Sequence, residues 1–296
     1  MKLSVLMITF NHEAFIAQAL DSVLAQQTDF EFEIVVGEDC SADRTRAILL
    51  DYQRAHPDRI RLLLHANNVG MHANFAATYA ACRGEYIALL EGDDWWSAAH
   101  KLQRQVDLLD AHPDVTECFH AVEKVIEGPT GQTREDAPFP SLDRPTRYRL
   151  HDVLNDFFIP TPSVVLRRSA LGELPAQFGR MNNPDWMIHA LCGHTGNIAF
   201  IPEVMGCYRV HAAGVWSALP MIKAIEKSIV SAGVLEELFD FRVNGPLAWR
   251  IVNWHKEAAQ LLRADGRMLS AARHQAQAVL RQIAMRLSPA PLHQAA

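Results

Sequence analysis

The chain has 296 residues, of which 49% are hydrophobic and 21% are charged, and its formal net charge is −6. These are the proportions of an ordinary globular protein, long enough to bury a sizeable core in one large domain or two smaller ones. The longest apolar run near the start, LSVLMITF, is far too short to span a bilayer, and an acidic chain is a poor partner for nucleic acid.

The charge is distributed unevenly along the chain. From residue 221 onward there are 10 basic and 6 acidic residues, whereas the first 220 residues carry a charge of −10. A basic tail can contact an anionic membrane, although solvated helix faces carry such charge routinely. The pattern of a secretory signal is missing, which predicts a cytoplasmic protein, with the inner face of the membrane as the alternative location. Five widely spaced cysteines without a CxxC predict reduced, mostly buried thiols.

The first third of the chain alternates predicted strands and helices. Continuous apolar runs predict buried strands over residues 3–10, 32–39, 59–64 and 85–90. Apolar residues at helical spacing predict helices over residues 13–27, in the segment ending at Ala55, and over residues 71–82. The repeated βα pattern predicts an α/β fold with a mostly parallel central sheet flanked by helices.

Chemically distinctive residues lie where three of these strands end. They are Thr9, Phe10 and Asn11 after the first strand, Glu38, Asp39, Cys40 and Ser41 after the second, and Glu91, Asp93 and Asp94 after the fourth. Ligands of open parallel sheets bind outside the carboxyl ends of the strands, so acids from two strand ends would face one crevice. The three acids of LLEGDDWW repel one another, and a fold that holds them together usually does so for a cation or for hydroxyl donors.

The motifs that the sequence lacks argue against two kinds of nucleotide-binding site. There is no GxGxxG after the first strand and no GxxxxGK[ST] anywhere, which argues against a glycine-cradled dinucleotide and a P-loop nucleotide. With acids in place of backbone amides, a diphosphate would be held through a divalent cation. Oxygen-rich ligands without thiolates indicate Mg²⁺ or Mn²⁺.

The second half of the chain contains a predicted loop, helix and strand. Residues 127–149 lack periodicity, which predicts a loop. Asp185 begins a predicted helix, a position where aspartate is a favoured cap. Residues 205–217 predict a strand followed by a loop of small residues. Helices are predicted beyond residue 217, with an apolar stripe that would pack against the main domain or a second subunit, making a homodimer.

Four stretches, taken in order, resemble one enzyme family. They are SVLMITFN, EIVVGEDCSADRT, NNVGMHANFAATYAACRGEYIALLEGDDWW and DWMIHALCGHTGNIAFIPEVMGCYRVHAAGVWS. Together they are similar to the family 2 glycosyltransferases with the GT-A (Rossmann-like) fold, over residues 3–217. The resemblance implies a domain over 1–217, divided into a nucleotide-binding half (1–97) and an acceptor half (98–217), with the loop over 127–149 near the acceptor site. The C-terminal helical extension (218–296) matches no motif of the family and is predicted from helical spacing alone.

The resemblance also implies roles for individual residues. The base and ribose of the nucleotide would be held by Thr9, Phe10, Asn11, Glu13, Asp39, Asn68, Arg83, Glu91 and Gly92. Glu91 departs from the usual first acid of the family's DXD motif, so it would contact the ribose or reach the metal through water. Asp93 and His211 would bind the metal. The diphosphate and sugar would meet Asp94, Trp95, Arg209, Trp216 and Ser217.

The catalytic base of the family matches Asp185, with Pro184 in place of the usual preceding Glu. The resemblance implies an inverting transferase that moves one sugar from a UDP- or dTDP-sugar to an acceptor hydroxyl. The acceptor would be a saccharide, a lipid-linked saccharide or a glycoprotein, in cell-surface polysaccharide or glycan assembly. The QxxRW motif of processive members is missing, which predicts addition of a single sugar. A nucleotidyltransferase, a metal-dependent phosphohydrolase and a carbohydrate-binding protein without activity are the alternatives.

Overall fold

The four strands predicted in the first third form neighbouring parallel strands in the structure. The structure is a computed structural model that describes residues 1–128, 131–214, 219–241 and 243–288. The strands are β1 (Leu3–Thr9), β2 (Phe32–Glu38), β3 (Ile60–Leu64) and β4 (Tyr86–Glu91), and the helices between them are α1 (Ile16–Leu24), α2 (Thr45–Ala55) and α3 (Met71–Ala81). Every residue of β2 is buried and β1 and β4 are nearly so, as continuous apolar runs predict for strands covered on both faces.

The remaining elements complete the sheet and add a helical region. The strands are β5 (Trp95–Trp96), β6 (Val115–Gly128), β7 (Gly131–Arg134), β8 (Arg147–Tyr148), β9 (Val165–Arg167) and β10 (Asn197–Val210). The helices are α4 (Lys101–Ala111), α5 (Leu150–Asn155), α6 (Arg168–Leu171), α7 (Pro184–Thr195), α8 (Met221–Leu238), α9 (Ala248–Ala264) and α10 (Met268–Leu287).

The ten strands found in the described residues join one mixed sheet. Its main order is β3-β2-β1-β4-β9-β6-β10-β5, with β7 beside β6 and β8 beside β10. The strands β3, β2, β1 and β4 are mutually parallel, and β6 is parallel to β10. The short strand β9 runs antiparallel between β4 and β6 and joins the two parallel groups. Because β1 lies between β2 and β4, their carboxyl ends meet at one edge of the sheet.

The chain divides into two compact units. The first comprises Met1–Val153, Phe158–Leu174 and Ile188–Ala212 and contains the whole sheet; the second comprises Leu154–Phe157, Pro175–Met187 and Ala213–Ala296. In the second unit, α8, α9 and α10 confirm the helices predicted beyond residue 217. Their shared core includes Leu235, Ile251, Val252, Ala259 and Ala271. All five cysteines are free, and four of them are buried.

The segment predicted as a loop over residues 127–149 is partly sheet. Strand β6 extends to Gly128 and pairs with β7 in an antiparallel hairpin, and β8 pairs with β10. All four residues of β7 are exposed. An exposed strand has no buried face to impose an alternating apolar pattern, which is why the sequence gives no sign of it.

A buried carboxylate fixes the amino ends of β1, β2 and β4. Glu33 is only 1% exposed. Its oxygens accept hydrogen bonds from Ser4 Oγ at 2.7 Å, from Arg83 Nη2 at 2.7 Å and from Arg61 Nη1 at 3.1 Å. Burial opposes ionisation, but the hydrogen bonds, led by that of Arg83, outweigh it and lower the pKa of Glu33 to about 2.

Replacing Glu33 by Gln is expected to destabilise the protein by about 2 kcal/mol at neutral pH. This is less than the full pKa shift corresponds to, because Arg61 and Arg83 are partly exposed and solvent screens their charges. The ordinary glutamate pKa of 4.5 is lowered in the folded state, so the stabilisation is complete above pH 4.5 and is lost as pH falls towards 2. Urea unfolding at several pH values should show the variant and the parent converging in acid. The exposed Glu31→Gln is the control, and equal stability of the Glu33 and Glu31 variants at neutral pH would contradict this account.

Candidate active site

A glycine brings the acidic turn after β4 against the end of β1. A Cβ atom at position 92 would lie 2.5 Å from Oγ1 of Thr9 and 2.9 Å from Nδ1 of His12. No larger residue fits without displacing these side chains. The backbone N–H of Gly92 also donates to the carbonyl oxygen of Ile8 at 3.1 Å. The turn is therefore held at the sheet edge where β1 ends.

Three carboxylates lie together on this turn. Oxygen atoms of Glu91, Asp93 and Asp94 are all within 4.8 Å of one another. Oδ1 of Asp94 accepts the backbone N–H of Arg209 at 2.7 Å, whereas Oδ2 is buried and has no hydrogen-bond partner among the described residues. Burial, together with the charges of Asp93 and Glu91, raises the pKa of Asp94 well above its usual range. The turn thus brings three carboxyl groups together, and one buried oxygen of Asp94 has no partner among the residues that the structure describes.

Two imidazole rings flank Asp93. Nε2 of His211 lies 2.9 Å from Oδ2 of Asp93, and Nε2 of His12 lies 3.8 Å from the same oxygen. Burial opposes ionisation of Asp93, but the hydrogen bond to His211 and the nearby histidines outweigh it, and the pKa of Asp93 is lowered. Burial also lowers the pKa of His12, which Asp93 only partly offsets. Asp93 is therefore favoured as an ionised carboxylate, and the imidazoles of His12 and His211 both lie beside its Oδ2.

Arg209 connects the acidic turn with α1 and β6. Its Nε donates to the carbonyl oxygen of Asp93 at 2.7 Å and its Nη2 donates to Oε1 of Gln18 at 2.7 Å, while Nη1 pairs with Glu127. The guanidinium group also lies 4.5 Å from the ring centroids of both Phe15 and Trp95. All sides of the guanidinium contact protein, so Arg209 holds the acidic turn and places a positive charge beside it.

The loops that follow β1 and β2 are tied to each other. Asn11 has a left-handed backbone (φ 55°), which asparagine tolerates better than most residues. Its N–H donates to Ser41 Oγ at 2.9 Å, and its Oδ1 accepts the N–H of Ala42 at 2.9 Å. Oε2 of Glu13 accepts the N–H of Arg44 at 2.8 Å. Asn11 and Glu13 therefore shape the crevice at the ends of these two strands.

Asp39 organises the loop before α3. Its Oδ1 accepts the N–H of Val69 at 2.7 Å and its Oδ2 accepts that of Gly70 at 2.9 Å, while Nδ2 of Asn68 donates to the Asp39 carbonyl at 3.2 Å. The N–H of Asp39 in turn donates to the carbonyl of Thr9 at 3.1 Å. Each carboxylate oxygen can accept a second hydrogen bond, so this arrangement leaves Asp39 able to bind a ligand donor.

The residues of the turn fit a divalent cation. The cluster offers the closely spaced carboxylate oxygens of Glu91, Asp93 and Asp94, and a buried oxygen of Asp94 has no hydrogen-bond partner within the described part of the chain. His211 lies beside Asp93. Such oxygen-rich donors suit Mg²⁺ or Mn²⁺.

Asp185 lies in the second unit, at the first turn of α7. Its Oδ1 accepts the N–H of Trp186 at 2.9 Å. Trp186 is buried against Phe157, with ring centroids 4.7 Å apart, and against Trp254 at 6.1 Å. The guanidinium of Arg250 lies 4.9 Å from the Phe157 ring and 4.5 Å from the Trp254 ring. An aromatic cluster therefore fixes the residue next to Asp185 within this unit.

Of the remaining predicted site residues, one lies away from the crevice, one lies at the end of β1, and two are outside the described residues. Arg83 lies at the amino ends of the strands on Glu33, roughly 17 Å along β1 from Thr9, so the structure does not bring it to the crevice. The Phe10 side chain is 43% exposed at the end of β1. Trp216 and Ser217 lie outside the described residues.

Several residues at the acidic turn were not found by sequence reasoning. They are His12, Phe15, Gln18 and Glu127. His12 follows Asn11 directly after the first strand, a position that could have indicated it. Gln18 and Phe15 lie on or beside α1 and read as ordinary helix residues, and Glu127 lay in the segment predicted as a loop.

Solved structures identify the class of fold. S. aureus TarS 1-349 in complex with UDP-GlcNAc matches with a TM-score of 0.59 at 16% identity, covering 95% of this chain and 89% of that one. A mannosyltransferase from Pyrobaculum calidifontis in complex with GDP-Man and Mn²⁺ matches with a TM-score of 0.59 at 18% identity, covering 94% and 75%. The central sheet flanked by helices, with acids at its carboxyl edge, is that of the GT-A glycosyltransferases.

The sequence then places the chain within that class. The model of Glycosyl transferase family 2 matches residues 4–174, and the chain belongs to this family. An uncharacterized protein of Mycobacterium tuberculosis is 39% identical over 215 residues, which are 72% of this chain and 60% of the relative. The chain thus matches less than two thirds of that relative's length. No helix in the described part of the chain combines the length and apolar character needed to cross a bilayer.

Proposed function

We propose that the protein is an inverting glycosyltransferase that moves a single sugar from a UDP- or dTDP-sugar to an acceptor hydroxyl. Family membership supports transfer of a sugar. The observation that supports metal-assisted binding of the donor is the acidic turn, where two imidazoles lie beside Oδ2 of Asp93 and a buried oxygen of Asp94 has no partner among the described residues. Such a turn can hold a cation on the diphosphate of a donor.

Residues of the first 97 positions would bind the nucleotide. Asp39 would accept the ring N–H of uracil or thymine, because its oxygens keep acceptor capacity beyond Val69 and Gly70. Thr9, Asn11 and Glu13 line the loops at the ends of β1 and β2 and would contact the base and ribose. Asn68 would support the same pocket through the Asp39 carbonyl.

Asp93 and His211 would hold Mg²⁺ or Mn²⁺, with Glu91 and Asp94 close by. When bound, this ion neutralises the charge that develops on the departing diphosphate. Arg209 holds the backbone of Asp93 and donates its own N–H to Asp94, so it keeps the acids of the turn in position. Trp95, whose ring lies on Arg209, would wall the sugar pocket.

Asp185 would act as the base. The acceptor oxygen bonds to the anomeric carbon as the bond from that carbon to the diphosphate oxygen breaks, and the hydroxyl proton passes to the Asp185 carboxylate. One displacement inverts the anomeric centre. The acceptor half, residues 98–217, would present a saccharide, a lipid-linked saccharide or a glycoprotein, in cytoplasmic assembly of a cell-surface polysaccharide or glycan.

A thermal-shift screen of nucleotide sugars tests this proposal. UDP- and dTDP-sugars are expected to raise the melting temperature with Mn²⁺ or Mg²⁺ and to raise it much less with EDTA, because a ligand that binds only the folded state stabilises it. GDP- and ADP-sugars are the matched comparison for base choice. If no nucleotide sugar stabilises the protein in either metal, the proposed activity is wrong. If only GDP-sugars do, the role of Asp39 is wrong.

A further inference from the structure

The last helix, α10, turns its large aliphatic residues towards solvent. Leu269 is 90% exposed, Leu280 58%, Ile283 47% and Leu287 81%. Their spacing puts them on one face, which also carries the exposed Ala272 and Ala276. A helix of a globular protein normally directs such residues to the core. This continuous face, the α10 outer face, is therefore unusual for a surface exposed to water.

The opposite face of α10 shows why this helix stays in place. It packs inward through the small residues Ala271 and Ala278, which are buried. Arg281 also points inward and pairs with Glu236 of α8. His274 Nδ1 lies 2.9 Å from His255 Nδ1 of α9. The helix is thus anchored without its leucines, whose apolar surface remains available.

The charges around the α10 outer face have one sign. Helix α10 contains three arginines and no acidic residue, and α9 and α10 with their connection carry 7 basic and 2 acidic residues. Arg273 lies within the outer face, and Arg286 borders it; both are exposed. The rest of the chain carries 21 basic and 32 acidic residues. An anionic surface would therefore attract this part of the protein and repel most of the remainder.

We propose that the α10 outer face docks the protein onto the surface of an anionic lipid bilayer. The leucines and Ile283 would enter the boundary between headgroups and acyl chains, and Arg273 and Arg286 would contact lipid phosphates. A second copy of the chain is a poorer occupant, because it would oppose the same arginines on a face without an acid to pair with them. This inference does not depend on the proposed transferase activity.

Flotation of the whole protein with vesicles tests the inference directly. Vesicles of equal parts phosphatidylglycerol and phosphatidylcholine are expected to bind the protein, and phosphatidylcholine vesicles to bind it much less. The double variant Leu280→Ser/Leu287→Ser should weaken binding to the anionic vesicles on the order of tenfold or more, since each leucine loses its apolar contact. High salt should also weaken binding, because it screens the arginines.

Val230→Ser, at a 53% exposed position of α8, is the matched control and should bind like the parent. Thermal unfolding of all variants should be unchanged, because the replaced side chains are exposed. The inference is wrong if the parent does not bind anionic vesicles at low salt, or if the double variant binds as well as the control. It is also wrong if sedimentation shows that the parent is a dimer and the double variant is a monomer, and neither protein binds vesicles.

Discussion

Replacing Asp185 by Asn is expected to lower the rate of sugar transfer by roughly 10³-fold, within the range for loss of a general base. Asparagine keeps the shape of the side chain but cannot take a proton from the acceptor hydroxyl. Donor binding should stay within about twofold of the parent, because the nucleotide contacts are assigned to other residues. Transfer is measured with the donor found in the screen, and donor binding by calorimetry.

The competing explanation of Asp185 is that it only starts a helix. An acid in the first turn stabilises a helix by about 0.3–1 kcal/mol through the macrodipole. If this is its whole role, Asp185→Asn should lose a small amount of stability and keep full activity. Asp265→Asn, at an exposed acid after α9, controls for charge removal in the same unit. Full transfer activity in the Asp185 variant would overturn the assignment of the base.

The four parallel strands of the first third were predictable because they are continuous apolar runs buried on both faces. Runs such as LSVLMITF and EYIALL are recognised without their partners, and the βα alternation then orders them. Strand β6 was missed although its first eight residues are buried, because the polar residues Thr116, Glu117 and His120 interrupt its apolar run. Strand β7 was missed because all of it is exposed. Prediction therefore succeeded where a buried strand is continuously apolar and failed where polar residues or exposure break that pattern.

The candidate site was also predicted only in part. The acidic turn was visible because three acids follow a buried strand. The contact of Asp93 with His211 joins residues 118 positions apart, and only the family resemblance suggested it. His12 stands directly after Asn11 at the end of the first strand, a position that could have indicated it. Its contact with Asp93 becomes visible only when the sheet pairs β4 with β1 and brings the turn after β4 beside His12.

Arg83 illustrates how topology could have corrected a prediction. It precedes β4, and residues that precede a parallel strand lie at the amino edge of the sheet. The nucleotide crevice is at the carboxyl edge. The pairing of Arg83 with Glu33 supports the fold, so its replacement should alter stability rather than donor binding.

Replacing Asp93 by Asn is expected to remove the metal dependence of nucleotide binding. In the parent, Mn²⁺ should strengthen binding of UDP or dTDP, and in the variant the affinities with Mn²⁺ and with EDTA should agree within about twofold. The reason is that Asp93 is the acid of the turn whose pKa is lowered, so it supplies the ionised oxygen that a cation requires. We expect transfer to fall by about 10²-fold or more, as for loss of a group that stabilises charge in the transition state.

The structure allows the loss of metal binding to be separated from loss of the fold. Nε of Arg209 donates a hydrogen bond to the carbonyl oxygen of Asp93 at 2.7 Å. The substitution leaves this hydrogen bond in place, so the turn should keep its conformation. Asp107→Asn on α4 removes a charge from an exposed side chain and is the control. If Asp93 only pairs with His211, the variant will unfold more easily but will keep its response to Mn²⁺. Calorimetric titration of UDP with and without Mn²⁺, beside urea unfolding of both variants, decides between a cation site and a structural ion pair.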